Sequence, residues 1–374
     1  MPNETISRRG FLIAITGSAV AAAAGCRPTN APPAPTLYVP GSDPKPITPT
    51  APPPTSVPVA NAPRDPLFGK LTYDSTILTD VSNLYVTQYD YNNTPEVDAA
   101  TWTFTVDGLV NTPQTYSLEA IKALPAHEDM RVLECISNPV GGTLIGNLMW
   151  KGVLFEQILS QVGLKADATH ARFYAADGYE TSVALEWITQ PNVLLAYEMN
   201  GEPLTTVHGF PLRIHMPGLY GQKMPRWLTR IEFIDYEFEG FWESRGWSKT
   251  AAIKTKSIIR QPTDNDPVQS GTVVVLQGVA VAGKRAIRTV EVQIEGGDWL
   301  PATIKAPAED SPLAWTQWWF EYVIPAPGAY QFSVRATDET GYTQMTVAEG
   351  VFGGAFPDGT DKIHRVSIRS QENS

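Results

Sequence analysis

Proline sets the first limit on this chain: 14 of its 32 prolines fall between Cys26 and Pro66. Each proline fixes φ and removes a backbone donor, so this density blocks both helix and sheet. Threonine and alanine fill most of the gaps, and few large apolar residues occur there. Such a segment cannot bury enough surface to offset the entropy of ordering it. Residues 26–66 are therefore expected to form a disordered tether, extended by ~3 Å per residue at most. The folded body is left to residues 67–374, and a chain of 374 residues predicts two domains rather than one core.

Ahead of the tether, residues 7–13 read SRRGFLI, followed by an alanine-rich apolar run to Ala24 and then Gly25-Cys26. A charged start, a short greasy middle and small residues before a cut describe a signal peptide over residues 1–25. The Arg8-Arg9 pair describes the twin-arginine kind. The run is too short for a comfortable membrane span. Ala23-Ala24-Gly25-Cys26 is similar to a lipobox, which predicts an exported protein anchored by lipid on Cys26 but not spanning the membrane. The twin-arginine route carries folded proteins, commonly with a cofactor already inserted.

A formal charge of −11 makes nucleic acid and anionic membrane surfaces poor partners for the body. Only two cysteines occur, Cys26 and Cys135. Their contexts differ too much for a disulfide, so each needs its own explanation.

Between Trp102 and Ile234 the pattern predicts strands at 101–106, 131–136, 171–175, 194–197 and 211–216. Helices are predicted at 117–124, with a serine cap, and at 153–162. This mixture, rich in Gly and Pro turns, predicts an α+β domain over residues 67–250. From Gly271 the pattern turns to β alone, with strands at 272–281, 289–295, 315–324 and 329–337 and a hairpin turn at Gly296-Gly297-Asp298. An all-β immunoglobulin-like sandwich over residues 251–374 is the expectation.

Cys135 stands in RVLECISNPVGG, where an apolar strand runs into a Pro/Gly loop. A thiolate there could bind a soft metal, although a lone cysteine on an apolar strand is more often an inert buried residue. The wider context changes the reading. In order come VDG (106–108), Cys135 with Asn138 three residues on, and Trp150-Lys151-Gly152-Val153. DGYETSV (177–183), LAYEMNGEPLTTVHGFPLRIHMPGLYGQKMPRWLTRI (195–231) and GFWESRGWS (240–248) follow. From about Leu84 to the end of the β-rich segment, the chain resembles the sulfite-oxidase family of molybdopterin-dependent oxidoreductases.

That resemblance implies a sulfite-oxidase-type molybdopterin-binding domain followed by the family's dimerisation domain, with a homodimer as a possible assembly. It implies a molybdenum–molybdopterin cofactor with Cys135 as the protein's thiolate ligand. His208 and Arg213, in the HGxPxR stretch, and Arg226 would bind the pterin's phosphate, with Lys223 and Asn138 as further contacts. Arg suits this role because its planar fork matches an oxyanion. Trp150 would pack near the metal pocket. Trp247 stands where sulfite oxidases carry a tyrosine on the metal's substrate side. Each tryptophan has a plainer reading as core.

Three departures argue against sulfite as the substrate. Val86-Thr87-Gln88-Tyr89 replaces Val-Arg-Asn-His, Pro139 and Val140 replace two arginines, and Trp247 replaces the tyrosine. A tetrahedral anion needs desolvated positive charge to hold it, unless Arg172 or Arg245 supplies that charge. The expected activity is two-electron oxygen-atom transfer to or from a small-molecule oxo acceptor or donor. With no CxxCH haem site and no iron–sulfur cysteine set, electrons would pass to a separate cytochrome or membrane redox protein. The alternatives are a sulfite dehydrogenase or sulfoxide reductase of the same family and, from a different class, a cofactor-free extracellular binding lipoprotein.

Overall fold

The computed structural model describes residues 59–72, 78–345 and 351–372. The signal segment, Cys26 and the tether through residue 58 lie outside these. No helix among the described residues is long and apolar enough to cross a membrane.

The first half runs β1 (Thr103–Gly108), β2 (Gln114–Ser117), α1 (Leu118–Lys122), β3 (Ala126–Glu134), β4 (Ile145–Leu154), α2 (Phe155–Val162), β5 (His170–Ala175) and β6 (Glu180–Ala184). It continues with α3 (Leu185–Ile188), β7 (Leu194–Met199), β8 (Glu202–Pro203), β9 (Arg213–His215) and β10 (Leu228–Ile234). One sheet has the order β2-β1-β10-β5-β6, and the other has β3-β4-β7-β8 with β9 also on β7. Strands thus outweigh the short helices that the sequence pattern suggested. The stretch 145–154 reads apolar without alternation because both faces of β4 are covered, and it pairs with β3 and β7. Helix α1 keeps its expected cap, with Ser117 Oγ accepting from the Ala120 amide at 3.2 Å. Helix α2 buries Phe155, Ile158 and Val162 along one face. Phe104, Val106, Leu148, Trp150, Phe173, Ile214, Ile231 and Phe233 share this half's core.

The second half is a two-sheet β-sandwich. It runs β11 (Lys256–Gln261), β12 (Pro267–Gln269), β13 (Val273–Val281), β14 (Ile287–Ile294), β15 (Trp299–Pro301), β16 (Thr303–Lys305), β17 (Thr316–Val323), β18 (Gly328–Asp338) and β19 (His364–Gln371). The sheets have the orders β11-β13-β17-β16 and β12-β19-β18-β14-β15. Val274, Leu276 and Trp318 of one meet Val290, Val292, Phe332, Val334 and Ile368 of the other. All nine residues of β13 are buried. One of its faces fills the sandwich, and the other joins a core shared with the first half, where Val279 and Val281 meet Val132, Ile136, Tyr220, Trp247 and Ile258.

The tether ends earlier than composition suggested. Arg64 bridges to Val273, and the Asp65 carboxylate accepts from the amides of Leu67, Phe68 and Gln269 at 2.8–3.0 Å. Phe68 then packs on the sandwich core. Pro63 and Pro66 flank a segment that pairs with the start of β13, beyond the reach of β11, and Pro63 takes part through its carbonyl, which accepts from the Val273 amide at 2.7 Å.

Candidate functional site

Strand β3 delivers Cys135 at its end, where the chain turns into a loop that returns at Leu144. The Cys135 amide donates to Leu144 O, and the Asn138 amide donates to Cys135 O, both at 3.0 Å. Asn138 then closes the loop from inside. Its Oδ1 accepts from the Leu144 amide at 3.0 Å, and its Nδ2 donates to Glu134 Oε1 at 2.7 Å. Asn138 is fully buried and engaged within the loop, so it shapes the loop instead of reaching toward a ligand. Cys135 is 8% exposed as a residue, and its Sγ lies 3.1 Å from Ser137 Oγ.

A cationic group faces this region from the 205–227 stretch. Arg213, on β9, is 3% exposed, with its guanidinium 5.1 Å from the Trp150 ring centroid. Its Nη1 donates to His208 O at 3.3 Å, and its Nε is buried without a hydrogen-bond partner. Among the described residues Arg213 has no carboxylate partner. Burial and the neighbouring Arg226 pull its pKa down to about 10. Arg226 donates to Val207 O at 2.6 Å and Thr87 O at 2.9 Å, and stacks on Trp227. His208 Nδ1 pairs with Thr205 Oγ1 at 2.7 Å, while Nε2 is buried without a hydrogen bond of good geometry. Gly209, at φ +108°, lets the turn close, since a Cβ there would lie 2.9 Å from Arg226 Cβ.

Burial, followed by Arg213 and Arg226, pushes the His208 pKa down to about 4. In the unfolded chain the same ring takes a proton below about 6.5. Unfolding therefore binds a proton between those values, and stability declines as pH falls from 6.5 to 4. The metal-free protein is expected to lose melting temperature across that window, and His208→Asn to lose less. Equal losses in a pH series by differential scanning fluorimetry would contradict this.

Lys223 differs from expectation. It is 1% exposed, paired with Glu243, and donates to Thr181 Oγ1 at 3.1 Å and Ser182 O at 2.9 Å. All three ammonium donors are taken, leaving none for a phosphate. Trp150 is fully buried, its Nε1 donating to Arg131 O at 3.3 Å, and its ring centroid lies 5.1 Å from the Arg213 guanidinium and 5.8 Å from the His215 ring. Trp247 belongs to the core shared by the halves and meets Trp242 and Phe356 edge-on, at centroid distances of 6.4 and 5.1 Å. The two spare arginines are occupied: Arg172 pairs with Glu180 and stacks on Phe238, and Arg245 stacks on Phe241.

Tyr85 was missed from sequence. Burial raises its phenol well above the usual range, Cys135 adds to this, and Arg213 opposes it. The hydroxyl thus sits within electrostatic reach of both the thiol and the arginine. A single tyrosine in a loop carries no pattern that could have flagged it. A cleft lies between the halves, lined by His215, Gly218, Arg285, Ala308 and Leu313 among others, and none of the expected site residues borders it.

Buried positive charge without a counter-ion is costly unless an anion completes it. Arg213 Nε is the open position, with Arg226 and His208 beside it, so these residues fit a group with an anionic tail beside a soft metal. Residues 91–242 match the family described as the oxidoreductase molybdopterin binding domain. The chain is a molybdopterin-dependent oxidoreductase. It belongs to the family that includes sulfite oxidases, and its cofactor is molybdenum–molybdopterin.

The uncharacterized oxidoreductase YuiH of Bacillus subtilis is 37% identical over 150 residues, covering 40% of this chain and 74% of that protein. The sulfite oxidase of Arabidopsis thaliana is 28% identical over 338 residues, covering 74% of this chain and 85% of that one. The fold is similar to that of the sulfane dehydrogenase SoxCD from Paracoccus pantotrophus. That match has a TM-score of 0.63 at 24% identity and covers 73% of this chain and 76% of that one. The family match removes the cofactor-free lipoprotein alternative.

Proposed function

We propose that this chain is an exported oxidoreductase in which the Cys135 thiolate holds molybdenum and Arg213, Arg226 and His208 hold the phosphate tail of the pterin. The observation that carries this reading is Arg213, buried beside a second arginine with its Nε open. When bound, the cofactor supplies two-electron oxygen-atom exchange with a small molecule. Cys135 anchors the metal and is not a nucleophile. Ser137 Oγ, 3.1 Å away, can donate to the thiolate. His208 is neutral near pH 7, because burial and the arginines hold its pKa at about 4. It therefore approaches the phosphate as a hydrogen-bonding group and gains charge only as the anion arrives. Trp150 closes the wall behind Arg213 and keeps water from the guanidinium.

We read the sandwich as the immunoglobulin-like dimerisation module of this family, the segment before residue 59 as signal, lipid anchor and tether, and the electron partner as a separate cytochrome or membrane redox protein. The substrate is read as a neutral or partly apolar oxo donor or acceptor. Thr87, Pro139 and Val140 bring no charge, and Arg172 and Arg245 are stacked or paired elsewhere. Each lost desolvated charge contact removes on the order of 2–5 kcal/mol of binding, and each ~1.4 kcal/mol is tenfold in rate. Sulfite kcat/KM is thus expected several powers of ten below that of family members that keep these arginines. Steady-state assays with sulfite, a sulfoxide and dye mediators test this. Sulfite turnover equal to theirs would instead favour the second reading, a sulfite dehydrogenase, which the likeness to the plant sulfite oxidase supports.

A further inference from the structure

The loop that carries Cys135 is held from the other half of the molecule. Lys256, on the first strand of the sandwich, reaches Glu134 Oε1 at 2.6 Å, with side-chain exposures of 4% and 0%. The same oxygen accepts from Asn138 Nδ2 at 2.7 Å, so one carboxylate ties the sandwich to both ends of the Cys135–Asn138 turn. Further along β11, Arg260 Nη1 donates to Gly142 O at 3.1 Å. The Ile259 amide donates to His364 Nδ1 at 3.0 Å, and this ring lies against Gly141, where an added Cβ would be 2.1 Å from Nε2. Strand β11 is itself braced. Thr255 donates to Asp338 at 2.6 Å, Arg285 donates to the same carboxylate at 2.9 Å, and the Ser257 amide donates to Gln344 at 2.8 Å.

We propose that Lys256 is a positioning residue for the metal-binding thiolate, acting through Glu134 and Asn138, so that the sandwich completes the molybdenum site of the first half. This rests on the reading of Cys135 as the ligand. Neighbouring residues on an extended chain project to opposite faces. Drawing the Glu134 side chain to Lys256, on the side where Val132 and Ile136 meet the sandwich, therefore commits Cys135 to the other face, the side of Leu133. Asn138, held by the same oxygen, fixes the turn that follows. The ammonium is buried and bonded to a buried carboxylate, a contact with two settings, made or broken, and little slack between them. The Arg260 contact pins the far side of the loop, so the thiolate is framed between two fixed points.

The test uses the full chain with Lys256→Gln and the neutral pair Glu134→Gln/Lys256→Gln, each purified with cofactor and also metal-free. Amide hydrogen exchange of residues 134–144 in the metal-free protein should quicken roughly tenfold or more in Lys256→Gln, with β13 and β17 unchanged, because the loop opens locally. In the loaded protein the Mo(V) paramagnetic resonance spectrum should change, and molybdenum should be lost faster on dialysis. The neutral pair restores a hydrogen bond without charge and should return both readouts to wild type. A Lys256→Gln protein with wild-type exchange and spectrum overturns the proposal. If Lys256→Gln does not fold, a folded neutral pair that still shows a changed spectrum overturns it equally. Cys135→Ser is run beside them. Molybdenum retained there refutes the ligand reading, whereas the exchange result reports on Lys256 whichever residue holds the metal.

Discussion

Cys135→Ser is expected to leave the purified protein with at most roughly a tenth of the molybdenum of wild type, while the metal-free fold is unchanged. Serine keeps the side chain's size and can keep the contact to Ser137 Oγ, 3.1 Å from the native sulfur. Its hydroxyl stays protonated near neutral pH and is a hard donor, so the soft anionic ligand is lost. The site has little room for solvent to replace it, since the residue is 8% exposed. Metal-free stability should fall by only about 1 kcal/mol, the ordinary size for a single buried substitution, because the new hydroxyl has a polar neighbour in Ser137. Metal and pterin analysis of the two proteins, side by side, decides this. Full molybdenum in the serine variant would remove Cys135 from the metal site.

Arg213→Met should act with opposite signs in the two states of the protein. In the metal-free state the guanidinium is buried, repelled by Arg226 and without a partner at Nε. Replacing a buried charge by an apolar chain of similar length, still packed on Trp150, should raise stability by about 1–4 kcal/mol. In the loaded state the same change leaves a phosphate charge without its fork, and pterin retention should fall severalfold or more. Inorganic phosphate provides a direct check. It should stabilise metal-free wild type, by ~2.7 kcal/mol at a hundred times its Kd, and should stabilise Arg213→Met far less. A variant that is destabilised when metal-free and keeps its pterin would show that Arg213 serves the fold and not the cofactor.

The residues that set these predictions differed in how plainly the sequence announced them. His208, Arg213 and Arg226 lie in one stretch that the family resemblance singled out, and the structure sets Arg213 and Arg226 close enough to His208 to lower its pKa. Cys135 could be placed at a strand end because an apolar run meets Asn138-Pro139 and a glycine pair. Strand β4 was not read. It is apolar on both faces and lacks the alternation that marks a half-covered strand. Strand β19 alternates cleanly in burial, yet its arginines and serines look like a solvated tail until β18 and β12 pair with it.

Local chemistry by itself determined the proline-rich lead, the change from mixed to all-β pattern near Gly271, and the residue types able to hold a soft metal and a phosphate. These follow from dihedral limits, side-chain periodicity and donor sets, which act over a few residues. Only the tertiary structure decided how the cations are used. It turned Lys223 inward onto Glu243 and closed Asn138 onto Glu134. Arg213 was left with an open donor, and Lys256 was brought from the sandwich to the carboxylate beside the thiol. Those outcomes depend on which partners are desolvated together in the folded core, at separations from 4 positions for Asn138 and Glu134 to 122 for Lys256 and Glu134. Periodicity carries no record of such pairings, and burial makes each of them decisive.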